Sequence, residues 1–330
     1  MDQRTYELDP KGDVVFLLYD VPHSLLHSLD ETPSTSTSTS PAQSIPADNE
    51  DTPTLLRIRA SSKHLTLACP QIERSLSNGF SEAKQLRATG HVEVDIDNWD
   101  AAAFLCLMMI IHGRTRAVPR RVSIDELVEM AVLVDYYECY EAVEVFTEMW
   151  MEALKRKPMA GVEDAEKWLF VAWVFQQQEM FANAGVYLQK RLRGRFDTSL
   201  PVPRRVRDAV DNARETAIES ILDLLHNRLA GLQSDEVQCS YDCDCALLGA
   251  LTKHMHRLGL LPRPPSPFPG LGLEQLARDC PNVPLPRWYE RASGVHHSCL
   301  VTLGFNQSLQ QTPSYRGKFD LADLTQVRNK

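Results

Sequence analysis

Two short apolar segments near the start of the chain, separated by a long polar tract, constrain the fold more than any other feature. Residues 13–20 (DVVFLLYD) are rich in β-branched and aromatic side chains, and residues 54–61 (TLLRIRAS) alternate in polarity. On a strand, successive side chains point to opposite faces. The two faces of the second segment are therefore Leu56, Ile58 and Ala60 on one side and Leu55, Arg57 and Arg59 on the other. Both segments are predicted to be strands that pair as a hairpin.

The polar tract between these segments has the sequence TPSTSTSTSPAQSIPADNED at residues 32–51. Its serine, threonine and proline residues cannot bury a hydrophobic core, so a disordered insertion over residues 28–53 is predicted. Because the entropic cost of closing a loop grows only logarithmically with its length, a hairpin tip tolerates such an insertion. The tract is interpreted as a spacer, with phosphorylation of its hydroxyl groups as the alternative.

A third strand and a buried helix are predicted further along the chain. HVEVDI at residues 91–96 alternates in polarity, and the stretch after it, at about residues 98–113, is apolar nearly all round. Asp97 suits the N-cap of this helix and Gly113 suits its C-terminal end. The first 113 residues therefore combine strands with at least one helix that belongs in the core.

Helical signals dominate the remainder of the chain. Ser123 and Glu126 have the spacing of a capping box, and a later helix should end before Pro158. Residues 262–270 (PRPPSPFPG) are predicted to be a structural connection, with a polyproline II ligand for a partner as the alternative. One apolar helical stripe comprises Val206, Val210, Ala213, Ala217, Ile221, Leu224 and Leu225.

The order of these elements, and the residues in them, resemble a known family. GDVVFLL followed by LRIRASSKHLTLACPQIERSLSNGFSEA resembles the opening of a BTB/POZ domain. HVEVDIDNWDAAAFLCLMMIIHG is similar to its third strand and following helix, and VSIDELVEMAVLVDYYECYEAVEVFTEMW to its closing helical hairpin. The remainder resembles the C-terminal region of fungal BTB-domain proteins through its paired cysteines, LLGALTKHM, GLLPRPPSPFPG and HSC.

The resemblance implies a fold and a division into domains. The fold class expected is α+β, with a three-stranded BTB/POZ-like sheet and helical cluster followed by a mostly α-helical C-terminal domain. The boundaries predicted are an N-terminal tail at 1–9, a BTB/POZ-like domain at 10–157, a helical domain at 158–310 and a flexible tail at 311–330.

The same resemblance implies a function in protein–protein interaction. BTB domains self-associate, and many are substrate adaptors for cullin-type ubiquitin ligases that contact the cullin through a hydrophobic-x-Glu motif. Phe80, Ser81 and Glu82 stand at the matching place, and Asp13 matches the aspartate before the first strand, so these four are the predicted partner-binding residues. The alternative for Phe80 is packing on its own domain. The alternative function is a self-associating structural or transcription-regulatory nuclear protein without a ligase link.

Cysteine and histidine residues near the C-terminus suggest a metal site. Cys239, Cys243, His297 and Cys299 are residue types that bind zinc tetrahedrally, and such a site would join two distant pieces of the C-terminal half. Their spacing is not that of a standard zinc finger. Structural zinc is therefore one hypothesis, and buried cysteines without a metal are the other.

Composition and motifs disfavour several classes of function. The net charge of −9 opposes non-specific binding to nucleic acid, and no C2H2 finger that would bind it specifically is found. The longest apolar run, residues 101–111, is shorter than the roughly 20 residues that cross a bilayer, and the N-terminus does not resemble a signal peptide. The common catalytic motifs G-x-S-x-G, H-E-x-x-H, G-x-G-x-x-G and the P-loop are missing. We therefore expect a non-enzymatic intracellular protein of the nucleus or cytoplasm.

Overall fold

The computed structural model divides the chain into an N-terminal unit, Met1–Pro158, and a C-terminal unit, Met159–Lys330. The residues that the structure describes are 2–30, 54–77, 79–238, 240–284 and 317–325. They form a mixed α+β structure that is mostly helical and contains one four-stranded sheet. In the predicted insertion at 28–53, residues 28–30 belong to a helix and residues 31–53 lie outside the described residues.

The N-terminal unit contains the whole sheet and the helices that follow it. Its strands are β1 (Asp2–Glu7), β2 (Val14–Tyr19), β3 (Thr54–Ala60) and β4 (Val92–Ile96). Its helices are α1 (His23–Asp30), α2 (Ser62–Ala68), α3 (Pro70–Ser77), α4 (Ser81–Thr89), α5 (Ala101–Ile111), α6 (Ile124–Tyr137) and α7 (Tyr140–Leu154).

The strand order in the sheet is β1-β3-β2-β4. The predicted pairing of the first two apolar segments is confirmed, because β2 and β3 are antiparallel with Val14 opposite Ala60. The prediction of three strands is wrong, since β1 adds a fourth, parallel to β3, within the residues assigned to a tail at 1–9. Asp2–Glu7 (DQRTYE) contains no apolar run, and a polar strand at a sheet edge gives a hydrophobicity pattern no signal.

One face of the sheet lies in the hydrophobic core. Leu56, Ile58 and Ala60 are fully buried, as their alternation predicted. Phe16 of β2 meets Phe104 of α5 edge to face, with ring centroids 5.2 Å apart. The opposite face has ion pairs between strands: Arg59 of β3 pairs with Glu7 of the adjacent β1, and Arg57 of β3 reaches across β2 to Glu93 of β4. Val15, Leu17 and Leu55 form a small buried apolar cluster there. The sheet therefore has one apolar face and one face that mixes ion pairs with apolar residues.

The helix ends in this unit follow local capping chemistry. The N-cap of α5 is Asp100, whose side chain accepts a hydrogen bond of 2.8 Å from the Ala103 N–H, and not Asp97 as predicted. Asp100 lies one residue before the first helical residue, which is the place where a carboxylate can accept that bond. The capping box of Ser123 and Glu126 at the start of α6 is confirmed, with both of its hydrogen bonds present.

The described part of the C-terminal unit is entirely helical apart from its connections. Its helices are α8 (Val162–Val174), α9 (Gln178–Arg191), α10 (Arg204–Gln233), α11 (Tyr241–Arg257), α12 (Leu273–Asp279) and α13 (Leu321–Thr325). A hydrophobic core cluster is made by apolar side chains of α10, α11 and α12 together with the connections between them.

The segment at residues 317–325 differs from the predicted flexible tail at 311–330. It contains α13, and its side chains Phe319 and Leu321 are buried. The segment packs on α9. It was not predicted because two apolar residues in a short polar stretch give no recognisable period.

An arginine holds the connections of this unit together from inside. Arg214 of α10 is fully buried and lies four residues after Val210 and three before Ala217, both members of the predicted apolar stripe, whereas the predicted Ala213 is only half-buried. The Arg214 guanidinium donates hydrogen bonds of 2.8–3.1 Å to the carbonyl groups of Leu192, Pro267, Phe268 and Leu271. All the acceptors are main-chain oxygens, so the arginine fixes the path of two irregular segments.

The proline-rich connection is fastened to α10 from outside as well. Arg263 pairs with Glu219 and Asp223, and the Ser266 hydroxyl donates to a Glu215 carboxylate oxygen at 2.9 Å. These contacts favour the interpretation of residues 262–270 as a structural connection. Across the described residues of both units, no helix is both long and apolar enough to cross a membrane.

Candidate partner-binding surface

Phe80 lies at the N-cap of α4 with an exposed ring. Its backbone is extended, with φ −66° and ψ 162°, and its carbonyl accepts the first bond of the helix from the Lys84 N–H at 3.1 Å. The residue remains 57 % exposed. This exposure does not fit the alternative in which Phe80 packs on its own domain. An aromatic ring held at a fixed backbone position in solvent is suited to insertion into a partner.

Glu82 places a carboxylate in the first turn of the same helix. It is half-buried, and the Ser81 hydroxyl donates to its Oε2 at 2.9 Å. A negative charge is favourable there because the N-terminal end of a helix carries a partial positive charge. The stretch Phe80-Ser81-Glu82 therefore presents an exposed apolar ring beside an oriented negative charge.

The first turn of α4 is held in position by packing on neighbouring elements. Ala83, the next residue, is fully buried, and α4 packs against both α3 and β4. The helix ends at Gly90, whose φ of 74° is the left-handed conformation that glycine adopts without strain. The start of α4 is therefore supported on its inner face and open on its outer face.

An ion pair connects α3, the neighbour of α4, to the end of α6. The Arg74 guanidinium donates two hydrogen bonds, of 2.9 and 2.8 Å, to the two carboxylate oxygens of Glu138. This bidentate contact lowers the pKa of Glu138 below its ordinary value. Glu138 is the C-cap of α6 and has a left-handed φ of 58°. The two hydrogen bonds of this pair hold α3, which packs against α4, to the end of α6.

Asp13 has a structural position apart from the other three predicted residues. Its two carboxylate oxygens accept hydrogen bonds of 2.7 Å from the N–H and the hydroxyl of Ser62. Partial burial acts to raise the pKa of Asp13, but these bonds outweigh it and the pKa is lowered. Asp13 therefore joins the start of β2 to the start of α2, whereas Phe80, Ser81 and Glu82 lie at the start of α4.

The predicted zinc ligands are only partly placed. Cys243 is buried in the first turn of α11, where its N–H donates to the Ser240 hydroxyl at 3.2 Å. Cys239, His297 and Cys299 lie outside the described residues. Within the described part of the chain, no three His, Cys, Asp or Glu side chains are arranged to hold a metal. Zinc binding by these four residues remains a prediction.

Two exposed apolar residues that the sequence analysis did not select belong to other helices of the N-terminal unit. Leu67 of α2 is 88 % exposed, and Val145 of α7 is 75 % exposed. The sequence held a signal for Leu67: it is two residues from Leu65, and residues two apart on a helix point in nearly opposite directions. Leu65 is fully buried, so Leu67 must face outwards.

Burial and hydrogen bonding act on two cysteines and one histidine of this unit. Burial raises the pKa of the Cys106 thiol to about 12. A hydrogen bond with Cys69, and then burial, raise the pKa of Cys139 still further. His112 accepts a hydrogen bond from the Ser61 N–H at 3.0 Å through Nε2, and its Nδ1 lies 2.8 Å from the Met108 carbonyl oxygen. A thiol with a raised pKa is a poor nucleophile, and both nitrogens of this imidazole are engaged by the backbone.

Comparisons of the chain with protein-family models, with curated proteins and with solved structures gave no match. The described residues form a mixed α+β fold with one four-stranded sheet and mostly helical content.

Proposed function

We propose that this chain is a non-catalytic adaptor whose BTB/POZ-like N-terminal unit binds another protein through the start of α4. The observation that carries the proposal is the 57 % exposure of Phe80 at a helix N-cap, next to the oriented carboxylate of Glu82. Binding energy in protein interfaces is concentrated in a few aromatic anchors, and charges beside them set orientation and partner choice. The site has both components within three residues.

The partner that fits this surface has an apolar pocket with a basic group at its rim. A cullin-type ubiquitin ligase scaffold is the partner that the sequence resemblance implies for Phe80-Ser81-Glu82. The sites of action that accompany this proposal are the nucleus or the cytoplasm. The protonated thiols of Cys106 and Cys280, both with a pKa raised to about 12 by burial, support a binding protein over an enzyme with a cysteine nucleophile.

A direct binding measurement with a purified cullin N-terminal domain tests the proposal. The Phe80→Ala variant should bind roughly 10- to 100-fold more weakly than the unaltered full-length chain. Glu82→Gln should weaken binding by a smaller factor and reduce its dependence on salt, because only the charge is removed. Val145→Ala is the matched control, since it removes another exposed apolar side chain of the same unit. Equal affinities for the unaltered chain and Phe80→Ala would show that this contact is wrong.

Self-association is the second candidate function, and the exposure of Leu67 favours it. A leucine that is 88 % exposed contributes apolar surface that a second copy could cover. A self-associating chain would act as a structural or transcription-regulatory protein without a ligase. Light scattering of the full-length chain, compared with Leu67→Glu, tests this alternative: a dimer that the substitution converts to a monomer supports it. A chain that is monomeric at every concentration measured would contradict self-association.

A further inference from the structure

Residues 317–325, the C-terminal segment, lie on α9 in the manner of a bound peptide. Burial alternates along the residues that lead into α13: Lys318 and Asp320 are exposed, whereas Phe319 and Leu321 are each only 5 % exposed. This alternation is typical of an extended peptide that points every second side chain into a surface. Phe319 and Leu321 are therefore its two anchors.

A glycine in α9 makes the space for the first anchor. A Cβ atom added to Gly185 would lie 2.6 Å from Cγ of Phe319, and the three atoms nearest to it all belong to that ring. Glycine is a poor residue for a helix interior, so its presence at the middle of α9 has a packing reason. The ring of Phe319 lies where any other residue at position 185 would place its side chain.

Two glutamines of α9 bind the main chain of the segment. Nε2 of Gln178 donates to the Phe319 carbonyl at 2.9 Å, and Oε1 of the same amide accepts from the Leu321 N–H at 2.8 Å. Gln189 is fully buried; its Oε1 accepts from the Gly317 N–H at 3.2 Å, and its Nε2 donates to the Ala213 carbonyl at 3.1 Å. Both amides use a donor and an acceptor at the same time, so each is fixed in orientation.

These three residues of α9 share one side of the helix. Gln178, Gly185 and Gln189 are seven and four residues apart, which places them on one face of an α-helix. We name them the α9 face. On the segment, the groups that the α9 face contacts are main-chain atoms, the Phe319 ring and the hydrogen at the Cα of Gly317, where a Cβ would overlap the Gln189 amide.

We propose that the α9 face is a peptide-binding site, that residues 317–325 are its ligand within the same chain, and that a separate peptide with glycine, phenylalanine and leucine at alternate positions displaces them. The Lys318 side chain faces solvent, so main-chain recognition should tolerate any residue at 318. Asp320 also faces solvent, and its Oδ1 accepts a hydrogen bond of 2.9 Å from the Ala322 N–H at the start of α13. Attachment to the chain gives the internal segment a high effective concentration, which sets how much free peptide is needed to displace it. This site belongs to the C-terminal unit and does not depend on the function proposed for α4.

The test uses the full-length chain and a fluorescent peptide with the sequence of residues 317–325. The unaltered chain should bind the peptide weakly, because its own segment occupies the site. The Phe319→Ala chain, whose internal ligand lacks its main anchor, should bind the same peptide at least about tenfold more tightly. A peptide with alanine in place of the phenylalanine should not bind. Failure of the peptide to bind the Phe319→Ala chain would overturn the proposal.

A substitution on the helix separates peptide binding from folding. Gly185→Ala, added to the Phe319→Ala chain, should reduce peptide affinity at least about tenfold, since the new methyl group occupies the place of the ring. Alanine favours the helix more than glycine does, so α9 should remain folded. Gly249→Ala in α11 is the matched control, because its added Cβ would meet no atom within 4 Å. Equal peptide affinities with and without Gly185→Ala would contradict the proposed site.

Hydrogen exchange of the otherwise unaltered chain gives an independent measurement. In the Gly185→Ala chain, the Leu321 amide should lose the protection that Gln178 gives it, while the amides of α9 keep theirs. Unchanged protection of Leu321 would show that the segment does not depend on the α9 face. Loss of protection throughout α9 would show that Gly185 serves the fold of the helix and not recognition of the segment.

Discussion

The two units bury different kinds of polar side chain. Among the described residues, the N-terminal unit buries only the hydroxyl side chains Thr54, Ser61 and Thr147. The C-terminal unit buries four larger ones, namely Gln189, Arg214, Asp244 and His254. Gln189, Arg214 and His254 each bond main-chain carbonyl groups 22 to 57 residues away. In the second unit, large buried polar side chains therefore fix irregular segments, whereas the first unit buries small hydroxyls beside its sheet and capped helices.

The largest test of this comparison is Arg214→Ala. It removes four hydrogen bonds from buried carbonyl groups and leaves those groups unpaired, so the C-terminal unit should lose about 3–5 kcal/mol of unfolding free energy. Lysine at 214 cannot replace the fork of donors and should also destabilise the unit. Urea unfolding followed by hydrogen exchange in α10 and residues 261–271 measures the loss. Arg204→Ala, at an exposed position of the same helix, is the control. If Arg214→Ala lowers the unfolding free energy no more than Arg204→Ala does, the hydrogen bonds of Arg214 do not stabilise the unit.

Arg214 also shows why part of the fold was not predicted. The strands β2 and β3, the helix α5 and the capping box of α6 were predicted because each has a local period or spacing. The apolar stripe was predicted to contain Ala213, but Arg214 is the residue buried between Val210 and Ala217, and a charged residue at that spacing is itself a signal. That signal shows that the residue is buried and paired, but not which carbonyl groups it meets. Those partners are 22 to 57 residues away and depend on the whole unit.

The candidate site was predicted only in its location. Family resemblance selected Phe80, Ser81 and Glu82, and they are consecutive, so any fold brings them together. The exposure of Phe80 depends on the way α4 packs on α3 and β4, which no local pattern gives. Asp13 was selected in the same way, but the structure shows both of its oxygens bonded to Ser62. Sequence alone could not distinguish a residue that is exposed to a partner, such as Phe80, from one that stabilises the fold, such as Asp13.

Asp13→Ala tests the N-terminal unit with an expected loss of about 2 kcal/mol, because charge-assisted hydrogen bonds to Ser62 disappear from a half-buried position. The folded pKa of Asp13 is lowered, so its contribution is present above its unfolded pKa of about 4 and is lost as pH falls through the folded pKa. Unfolding free energies of Asp13→Ala and the unaltered chain should therefore converge in acid. A constant difference down to pH 2 would contradict this assignment.

Ser123→Ala should cost the N-terminal unit about 1 kcal/mol, which is typical of the loss of an N-cap side chain. It removes the acceptor for the Glu126 N–H and half of the capping box of α6. Ser123→Asp is the control, since aspartate also accepts at an N-cap and should retain most of the stability. Thermal unfolding measures both. If Ser123→Ala lowers the unfolding free energy as much as Arg214→Ala does, a local helix cap stabilises its unit as strongly as the buried arginine stabilises the other. The contrast between the two units would then be wrong.

The smallest expected effect is a change in pH dependence at His112. Burial lowers the pKa of His112, against a hydrogen bond to the Met108 carbonyl that raises it, and His64, Asp9 and Arg114 are the charged or titratable groups that act on it. Neutral imidazole accepts the Ser61 N–H bond, and protonation removes that acceptor. Since the folded pKa lies below the unfolded value of about 6.5, stability is complete above that value and falls as pH decreases towards the folded pKa. His112→Gln has no such titration, so its unfolding free energy should change less between pH 7 and 5 than that of the unaltered chain. If the unfolding free energies of both chains change equally with pH, His112 titrates alike in the folded and unfolded chain. The hydrogen bond from the Ser61 N–H, between β3 and α2, would then not depend on neutral His112.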